Sequence, residues 1–175
     1  MPAPPELAGP TAAVGPVRVA QPADAPALFR LSAAFAADGC LLPRAAHEFA
    51  ERIGEFLVAV RDGELIGCTG LAELDDTLVV YNLCVAPHAQ GGGIGRRLIS
   101  AAAARGSRLG RHRLLAASKS SGHWFLRQGF EEVDPQRSPA AWAALIPPGR
   151  GSRLYCRGLS APAASQQLSA THPRS

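Results

Sequence analysis

The sequence has no run of apolar residues as long as the roughly 20 that a membrane-spanning helix needs. Its first stretch, Met1 to Glu6, also lacks the basic and apolar regions of a signal peptide. The four cysteines are widely spaced and form no Cys-x-x-Cys pair, which argues against a zinc site and for reduced thiols packed as small apolar groups. We therefore expect a cytoplasmic protein that is not inserted in a membrane and holds no metal.

Aromatic residues are scarce at 6%, and arginine far outnumbers lysine. The net charge of +4, from 18 Lys+Arg against 14 Asp+Glu, is partly local, because a basic cluster follows the glycine-rich stretch near the middle of the chain. Such a cluster can hold an anionic ligand or lie on nucleic acid. No interleaved aromatic residues or nucleic-acid-binding motif accompany it, so a nucleic-acid partner is not expected. The cluster comprises Arg96, Arg97, Arg105, Arg108, Arg111, His112 and Arg113.

A chain of 175 residues with 47% hydrophobic and 18% charged residues is typical of one globular domain. Residues 1–16 are rich in Pro, Ala and Gly and hold few large apolar side chains, and residues 161–175 are similar. Such segments do not bury enough apolar surface to offset the entropy of ordering. We expect two disordered tails, 1–16 and 161–175, around a folded domain at 17–160.

Periodicity within that domain predicts strands alternating with helices. Asp62-Gly63 between two strand-like runs is a strong hairpin signal. The run Leu78 to Val85 is nearly all apolar and is expected to be the central strand. Strands flanked by helices indicate an α/β fold with a mixed sheet. Strands are predicted at 17–19, 56–61, 65–74, 78–85, 113–117, 130–133 and 152–157, and helices from residue 21 to a cap at Gly39, at 44–53, after the glycines with a buried stripe of Ile94, Leu98, Ala102 and Leu109, and at 123–128.

The glycines that follow the central strand predict an anion-binding turn. Glycine lets the backbone adopt left-handed conformations and approach a ligand closely. The helix that follows directs its unpaired first-turn N–H groups and the positive end of its dipole at the same place. The turn is not a Walker A loop, since no Lys-Ser/Thr follows, and it lacks the G-x-G-x-x-G pattern of dinucleotide folds.

The stretch Gln90-Gly91-Gly92-Gly93-Ile94-Gly95 matches Q/R-x-x-G-x-G/A and is preceded by the pattern L-x-V-x-P. Together with the later Trp124-Phe125-Leu126-Arg127-Gln128-Gly129-Phe130, it resembles the acetyl-CoA pyrophosphate loop of the GNAT superfamily of N-acetyltransferases. The resemblance implies a mixed, mostly antiparallel central sheet with helices on both faces, and acetyl-CoA as co-substrate. The cofactor-binding residues it implies are Leu83, Cys84, Val85, Gln90, Gly91, Gly92, Gly93, Ile94, Gly95 and Arg96.

Further stretches narrow the resemblance to the acetyltransferase domain of N-acetylglutamate synthases. They are Asp38 to Arg44, Glu55-Phe56, Gly63 to Cys68, His123-Trp124-Phe125 and Arg150 to Tyr155. That family acetylates the α-amino group of glutamate in the first step of arginine biosynthesis. The chain would correspond to a short form without the amino-acid-kinase domain, and arginine feedback through that domain would be absent.

A dicarboxylate substrate needs fixed cations, and arginine pairs with carboxylates through two parallel hydrogen bonds. Arg44 matches an arginine of the family's motif and is the first candidate contact to the substrate, followed by Lys119 and Arg153. The expected partners are therefore an amino acid and acetyl-CoA. Whether the chain acts as a monomer or a homodimer is left open.

Two residues that many GNAT enzymes use for proton transfer are missing. The position of the usual glutamate holds Val79, and the position of the usual tyrosine holds Phe125. Tyr81, assigned to the same strand face as Leu83, and Ser121 are the candidate catalytic residues, with Ser120 and His123 as further candidates. Backbone N–H groups of Cys84 and Val85 are candidates for stabilising the oxyanion.

The alternatives are a GNAT enzyme acting on another amino acid or an amino-acid-like toxin, and a noncatalytic CoA-binding regulatory domain.

Overall fold

A seven-stranded mixed sheet organises the computed structural model, which describes residues 13–160. The strand order is β1-β2-β3-β4-β5-β7-β6, and the pairing of β4 with β5 is parallel while the other pairs are antiparallel. The strands are β1 Arg18–Val19, β2 Phe56–Arg61, β3 Glu64–Leu74, β4 Thr77–Val85, β5 Arg113–Ser118, β6 Glu131–Val133 and β7 Arg153–Gly158. The helices are α1 Ala25–Ala37, α2 Ala46–Glu51, α3 Ile94–Arg108, α4 Gly122–Arg127 and α5 Ala140–Ala143, with 3-10 turns at Pro22–Asp24, Ile53–Glu55, Pro87–Ala89 and Pro135–Arg137.

The early hairpin and the central strand are confirmed. Asp62 and Gly63 have φ values of 52° and 78°, and Arg61 pairs directly with Glu64, as a tight two-residue turn requires. β4 occupies the middle of the sheet, and the side chains along its first half are buried on both faces. The first half of β4 is therefore nearly all apolar because both faces of the sheet are covered there.

Helices cover both faces of the sheet. One face packs against α3 and α4 through a core that includes Leu98, Ile99 and Phe125. The other face packs against α1 and α2 around Leu28 and Phe49. Farther along the sheet on this second face, Trp142 of α5 joins a smaller cluster formed by Val79, Leu115 and Leu154.

Two predicted helices differ from the observed ones. The buried stripe of α3 holds Ile94, Leu98 and Ala102 as predicted, but Leu109 follows the end of the helix and is 43% exposed. The stripe continues through Gly106, where an added Cβ would lie 2.6 Å from Leu159 Cδ1, so a larger residue would require the Leu159 side chain to shift. The helix predicted at 44–53 is shorter and occupies Ala46–Glu51, because the Glu48 carboxylate caps the chain by accepting from Ala45 N at 2.7 Å. A short helix, α5, also lies in the proline-rich segment between β6 and β7.

The predicted disordered tails lie outside the described residues, except for residues 13–16. Within these, Gly15 N donates to Val60 O at 3.1 Å, and Arg97 Nη2 donates to Gly15 O at 2.7 Å. Contacts with the folded part therefore begin before Val17, the predicted boundary. Within residues 13–160, each helix is too short or too polar to cross a membrane.

Candidate active site

The parallel pairing between β4 and β5 stops partway along both strands. Paired residues run from Thr77 opposite Arg113 to Val80 opposite Ala116. Beyond Val80 the two strands separate, while β4 stays paired with β3 as far as Val85. The second half of β4 thus exposes one backbone edge to a cleft, which is where a ligand with amide groups can pair with the strand.

A β-bulge in β4 lies at the point of separation. The register passes from Tyr81 opposite Gly70 to Cys84 opposite Cys68, so β4 holds one more residue than β3. Asn82 has a φ of 50°, and its Nδ2 donates to Ser32 Oγ on α1 at 2.7 Å. The buried amide therefore fastens the bulge to the helix behind it.

The bulge corrects the predicted placement of Tyr81. Tyr81 packs into the cluster with Phe56 and Cys84, whereas Leu83 packs against the α3 face of the sheet. Alternation along a regular strand would put Tyr81 and Leu83 on one face. The extra residue shifts the alternation by one, so the two side chains lie on opposite faces.

The cleft opens into a cavity of about 850 Å³ that collects most of the predicted site. The predicted cofactor residues Leu83, Cys84, Val85, Gln90, Gly91, Gly93, Ile94, Gly95 and Arg96 line it, as do Tyr81, Lys119, Ser120, Ser121 and His123. Gly92, Arg44 and Arg153 are not among the lining residues. Residues that sequence reasoning did not select also line the cavity, among them Asn82, Ser118, Arg127, Arg150 and Ser152.

The N-terminus of α3 presents free backbone donors to this cavity. Gly93, with a φ of 79°, precedes the helix, and the first helical hydrogen bond is from Arg97 N to Gly93 O at 3.0 Å. The N–H groups of Ile94, Gly95 and Arg96 thus have no helical acceptor, and no side chain caps this end. All three residues line the cavity, so this part of its wall presents free N–H donors of the kind that bind anions.

Trp124 of α4 packs directly against this helix start. An added Cβ at Gly95 would lie 2.9 Å from Trp124 Cζ2, so glycine is needed for the indole to approach. The glycine pattern and the Trp-Phe motif, which are distant in sequence, therefore meet at one wall of the cavity.

Two side chains near the turn support the backbone. The Gln90 side chain lines the cavity, but its Nε2 donates to Val85 O at 3.0 Å and braces the turn against the end of β4. Arg97 of the basic cluster donates to the Gly15 carbonyl. Arg96 remains exposed at the cavity and is the arginine of this pair available to an anion.

The directions of their backbone N–H groups distinguish Cys84 from Val85, the two predicted oxyanion donors. Ala86 N donates to Ile66 O of the neighbouring chain segment at 2.8 Å. Successive backbone N–H groups of a strand point to opposite sides, so the Val85 N–H points toward the cleft. By the same alternation the Cys84 N–H points toward β3, as that of Ala86 does, so Val85 is the residue of the two whose N–H faces the cleft.

The cavity wall carries several cations and, within residues 13–160, no Asp or Glu side chain. Arg150 is held in place because its Nη2 donates to Gly39 O and Cys40 O, both at 3.2 Å. An excess of fixed cations favours an anionic ligand. The basic side chains along the wall are Arg96, Lys119, Arg127 and Arg150, with His123.

Arg153, predicted as a substrate contact, lies away from the cavity. Its side chain is 68% exposed and pairs with Glu132 on β6, with Nη1 3.1 Å from Oε1. Arg150, three residues earlier in the same motif, is the arginine that lines the cavity. The sequence held one signal for Arg150, which is its position between Gly149 and Gly151. In the structure these glycines have φ values of 73° and 71° and form the turn that brings the Arg150 side chain inward.

Arg44 and Tyr81 form one contact beside the cavity. The Arg44 guanidinium lies over the Tyr81 ring, 4.7 Å from its centroid, and Arg44 lines a second cavity of about 320 Å³. The Tyr81 hydroxyl donates to Glu55 Oε2 at 2.6 Å. Burial first, and then this hydrogen bond, raises the pKa of Tyr81 above its usual value. Sequence reasoning identified Tyr81 without its carboxylate partner, which comes from a distant turn.

Polar groups on the β5 side face the exposed edge of β4. Ser118 Oγ accepts from Ser121 N at 3.0 Å, which closes the turn between β5 and α4. Lys119, Ser120 and Ser121 follow this turn along the cavity wall. The arrangement puts hydroxyl groups opposite the β4 edge, where a leaving group could take a proton.

The buried thiols of Cys84 and Cys68 contact each other, with Sγ atoms 3.6 Å apart. The pKa of the Cys84 thiol is raised by its hydrogen bond with Cys68 and by burial, which favours the protonated thiol. No group of three or more His, Cys, Asp or Glu side chains placed to hold a metal ion occurs within residues 13–160.

Known proteins are similar to this chain in sequence and in fold. Residues 52–132 match the family model described as "Acetyltransferase (GNAT) domain". The chain is 34% identical over 122 residues to an amino-acid acetyltransferase of Azotobacter vinelandii, a match covering 68% of this chain and 28% of that protein. It is 33% identical over 124 residues to an N-acetyltransferase of Chlorobaculum tepidum, covering 70% of this chain and 79% of that protein.

A solved structure agrees with these matches. The N-acetylglutamate synthase of Neisseria gonorrhoeae, complexed with coenzyme A and N-acetyl-glutamate, superposes with a TM-score of 0.79 and 31% identity. The match covers 85% of this chain and 36% of that chain. The chain thus spans about a third or less of the length of the amino-acid acetyltransferases that it resembles.

Proposed function

We propose, from the premise that this chain belongs to the GNAT family of acetyltransferases, that it transfers the acetyl group of acetyl-CoA to the α-amino group of L-glutamate. The observation that carries the proposal is the cavity where β4 and β5 separate. One part of its wall is a helix N-terminus with free N–H groups, and the wall holds several cations and, within residues 13–160, no carboxylate.

Acetyl-CoA fits this cavity by its chemistry. Its pyrophosphate suits the N–H groups at the start of α3 and the nearby Arg96. Its pantetheine arm carries amides, which suit the unpaired edge of β4 beyond Val80. This placement leaves the thioester close to the bulge, where Val85 N–H and the hydroxyl groups near Ser121 also face the cleft.

The proposed reaction needs a neutral amine, an oxyanion donor and a proton for the thiolate. The amine nitrogen attacks the thioester carbonyl, and the carbonyl oxygen becomes an oxyanion that the Val85 N–H stabilises. The C–S bond then breaks, and the leaving thiolate takes a proton from the hydroxyl of Ser121, the candidate donor; the serine regains a proton from the attacking nitrogen, which loses one as the amide forms. The products are the N-acetylated amino acid and CoA.

The carboxylates of glutamate have fixed cations to meet. Arg150, held by the Gly39 and Cys40 carbonyls, is oriented for a carboxylate, and Lys119 is a second candidate. The Neisseria gonorrhoeae enzyme with N-acetyl-glutamate supports glutamate as the substrate. Acetylation of glutamate would place the chain at the first step of arginine biosynthesis.

A panel of amino acids tests the proposal. Release of CoA thiol from acetyl-CoA is measured with each amino acid, and glutamate should give the highest kcat/KM. A higher kcat/KM for a neutral or basic amino acid would indicate that this amino acid, and not glutamate, is the substrate. Binding of CoA without turnover of any amine would instead indicate a noncatalytic CoA-binding domain.

A further inference from the structure

The proposed reaction requires a proton acceptor, and within residues 13–160 the cavity wall holds no carboxylate. An amino acid arrives as an ammonium ion and must lose a proton before its nitrogen can attack. No Asp or Glu of residues 13–160 lines the cavity. Val79, where related enzymes carry a glutamate, is 7% exposed and packs with Leu115 and Leu154 in the apolar core. A carboxylate that accepts this proton must therefore lie outside the cavity wall.

Tyr81 lies where that route can begin. It is the first residue of β4 beyond the last pair with β5, and it lines the cavity. Its ring occupies the space over Gly70, where a Cβ would collide with it, and packs edge-on against Phe56, so the hydroxyl has a fixed position. The hydroxyl oxygen can accept a hydrogen bond from an ammonium group while its own proton points to Glu55.

Glu55 lies where the route can end. It closes the 3-10 turn Ile53–Glu55 before β2 and is only partly buried, so a proton on its carboxylate can pass to water. The 2.6 Å bond from Tyr81 Oη to Glu55 Oε2 is short, as expected for a hydroxyl donating to a carboxylate. One side chain therefore connects the cavity to an acid that the cavity does not contain.

The charged groups around the pair are cationic for the most part. The Arg44 guanidinium covers the Tyr81 ring, and Arg52 acts on the same tyrosine through its charge. Arg44 also lies 4.0 Å from Glu48 Oε1, which is the other carboxylate near the pair. Burial keeps the Tyr81 hydroxyl protonated, so a tyrosinate is not a separate intermediate and the two proton transfers must be coupled.

We propose that Tyr81 and Glu55 form a proton relay that neutralises the amine of the substrate, with Tyr81 as the catalytic residue and Glu55 as the positioning residue behind it. The substrate N–H bond breaks as its proton passes to Tyr81 Oη, and the Tyr81 proton passes to Glu55 Oε2. The ammonium becomes a neutral amine and the carboxylate becomes a carboxylic acid, so charge and protons balance. Glu55 then returns the proton to water. This inference rests on the proposed function.

His123 is the competing base on the cavity wall. It lines the cavity, but within residues 13–160 no protein group forms a hydrogen bond with its imidazole in this structure. A general base is effective when a second group orients it, and Tyr81 has such a group in Glu55. The arrangement therefore favours the relay.

Variants of both residues test the relay on the amino acid that the wild type turns over. Glu55→Gln and Tyr81→Phe should each lower kcat about 100-fold, the lower end of what general-base catalysis contributes. The double variant should be no slower than the slower single variant, because the two residues act as one unit. The KM for acetyl-CoA should stay the same, and Glu55→Gln should remove the acidic fall in the pH profile of kcat/KM.

Controls separate the relay from a structural role. Glu51→Gln changes an exposed acid of α2 and should keep wild-type kcat and pH profile. Glu55→Asp should recover part of the activity, and thermal unfolding checks that each variant is folded.

Three results would overturn the relay alone: a kcat of Glu55→Gln within about threefold of wild type, multiplied losses in the double variant, or loss of the acidic limb only in His123→Asn. No turnover by the wild type with any amine would overturn the proposed function together with the relay.

Discussion

Replacing Arg150 by alanine tests which arginine of the C-terminal motif meets the substrate. Arg150 lines the cavity and is oriented by the Gly39 and Cys40 carbonyls, whereas Arg153 is 68% exposed and pairs with Glu132 on the sheet surface. Both substitutions remove the same side chain, and they lie three positions apart. The pair Arg150→Ala and Arg153→Ala is therefore matched in chemistry and differs in location.

The expected magnitude follows from the charge of the contact. A hydrogen bond to a charged group contributes about 1.5–3 kcal/mol. At 1.4 kcal/mol per tenfold change, Arg150→Ala should lower kcat/KM for glutamate by about 10- to 100-fold. An exposed ion pair contributes only about 0–1 kcal/mol to stability, and Arg153→Ala should leave kcat/KM within about threefold of wild type.

Steady-state kinetics with glutamate varied at saturating acetyl-CoA measures the loss in kcat/KM. Calorimetric titration with CoA measures whether each variant still binds the cofactor. Arg150→Ala should keep the affinity for CoA. Arg150→Lys should recover part of the loss, because it keeps the charge without the paired geometry of the guanidinium. An equal loss in both alanine variants, or a loss in Arg153→Ala alone, would refute the assignment.

Three further substitutions test other parts of the fold. Gly93→Ala forces a side chain onto a backbone with a φ of 79°, so it should lower the free energy of unfolding in urea by about 1–2 kcal/mol and weaken CoA binding. Gly92→Ala, whose φ is not in the left-handed region, should do neither. Equal effects of the two substitutions would contradict the role of the left-handed residue. Arg44→Ala, which removes the guanidinium over the Tyr81 ring, should lower kcat and leave the affinity for CoA unchanged, and an unchanged kcat would show that this contact does not support Tyr81. The Arg18 guanidinium, through its hydrogen bonds, lowers the pKa of Asp24, so this carboxylate stabilises the fold above its unfolded pKa and less as the pH falls. Urea unfolding should therefore show Asp24→Asn less stable than wild type at neutral pH, with the difference shrinking toward pH 3, and a constant difference would contradict the ion pair.

Local sequence signals determined the elements that the chain forms. Asp62-Gly63 predicted the hairpin because both residues can adopt positive φ, and the apolar run of β4 predicted a strand covered on both faces. The glycine pattern predicted a helix start with free N–H groups, which is a property of a few neighbouring residues. Leu109 was misassigned because periodicity does not show where a helix ends.

Tertiary structure decided the relations between distant residues. The bulge at Asn82 depends on Ser32 of another element, so sequence alternation gave the wrong face for Tyr81 relative to Leu83. The choice of Arg150 over Arg153 depends on a turn between two glycines that directs one side chain inward. The bond from Tyr81 to Glu55 joins residues far apart in the chain.

The physical reason for this division is the range of each interaction. Propensity, turn chemistry and helix termini depend on neighbours in sequence, so the 175 residues by themselves determined the strands, the anion-binding turn and the family resemblance. Orientation of side chains toward a common cavity depends on bulges, strand separation and packing between distant segments. Which arginine and which acid lie at the cavity is therefore decided by the separation of β4 from β5 and by the loops around it.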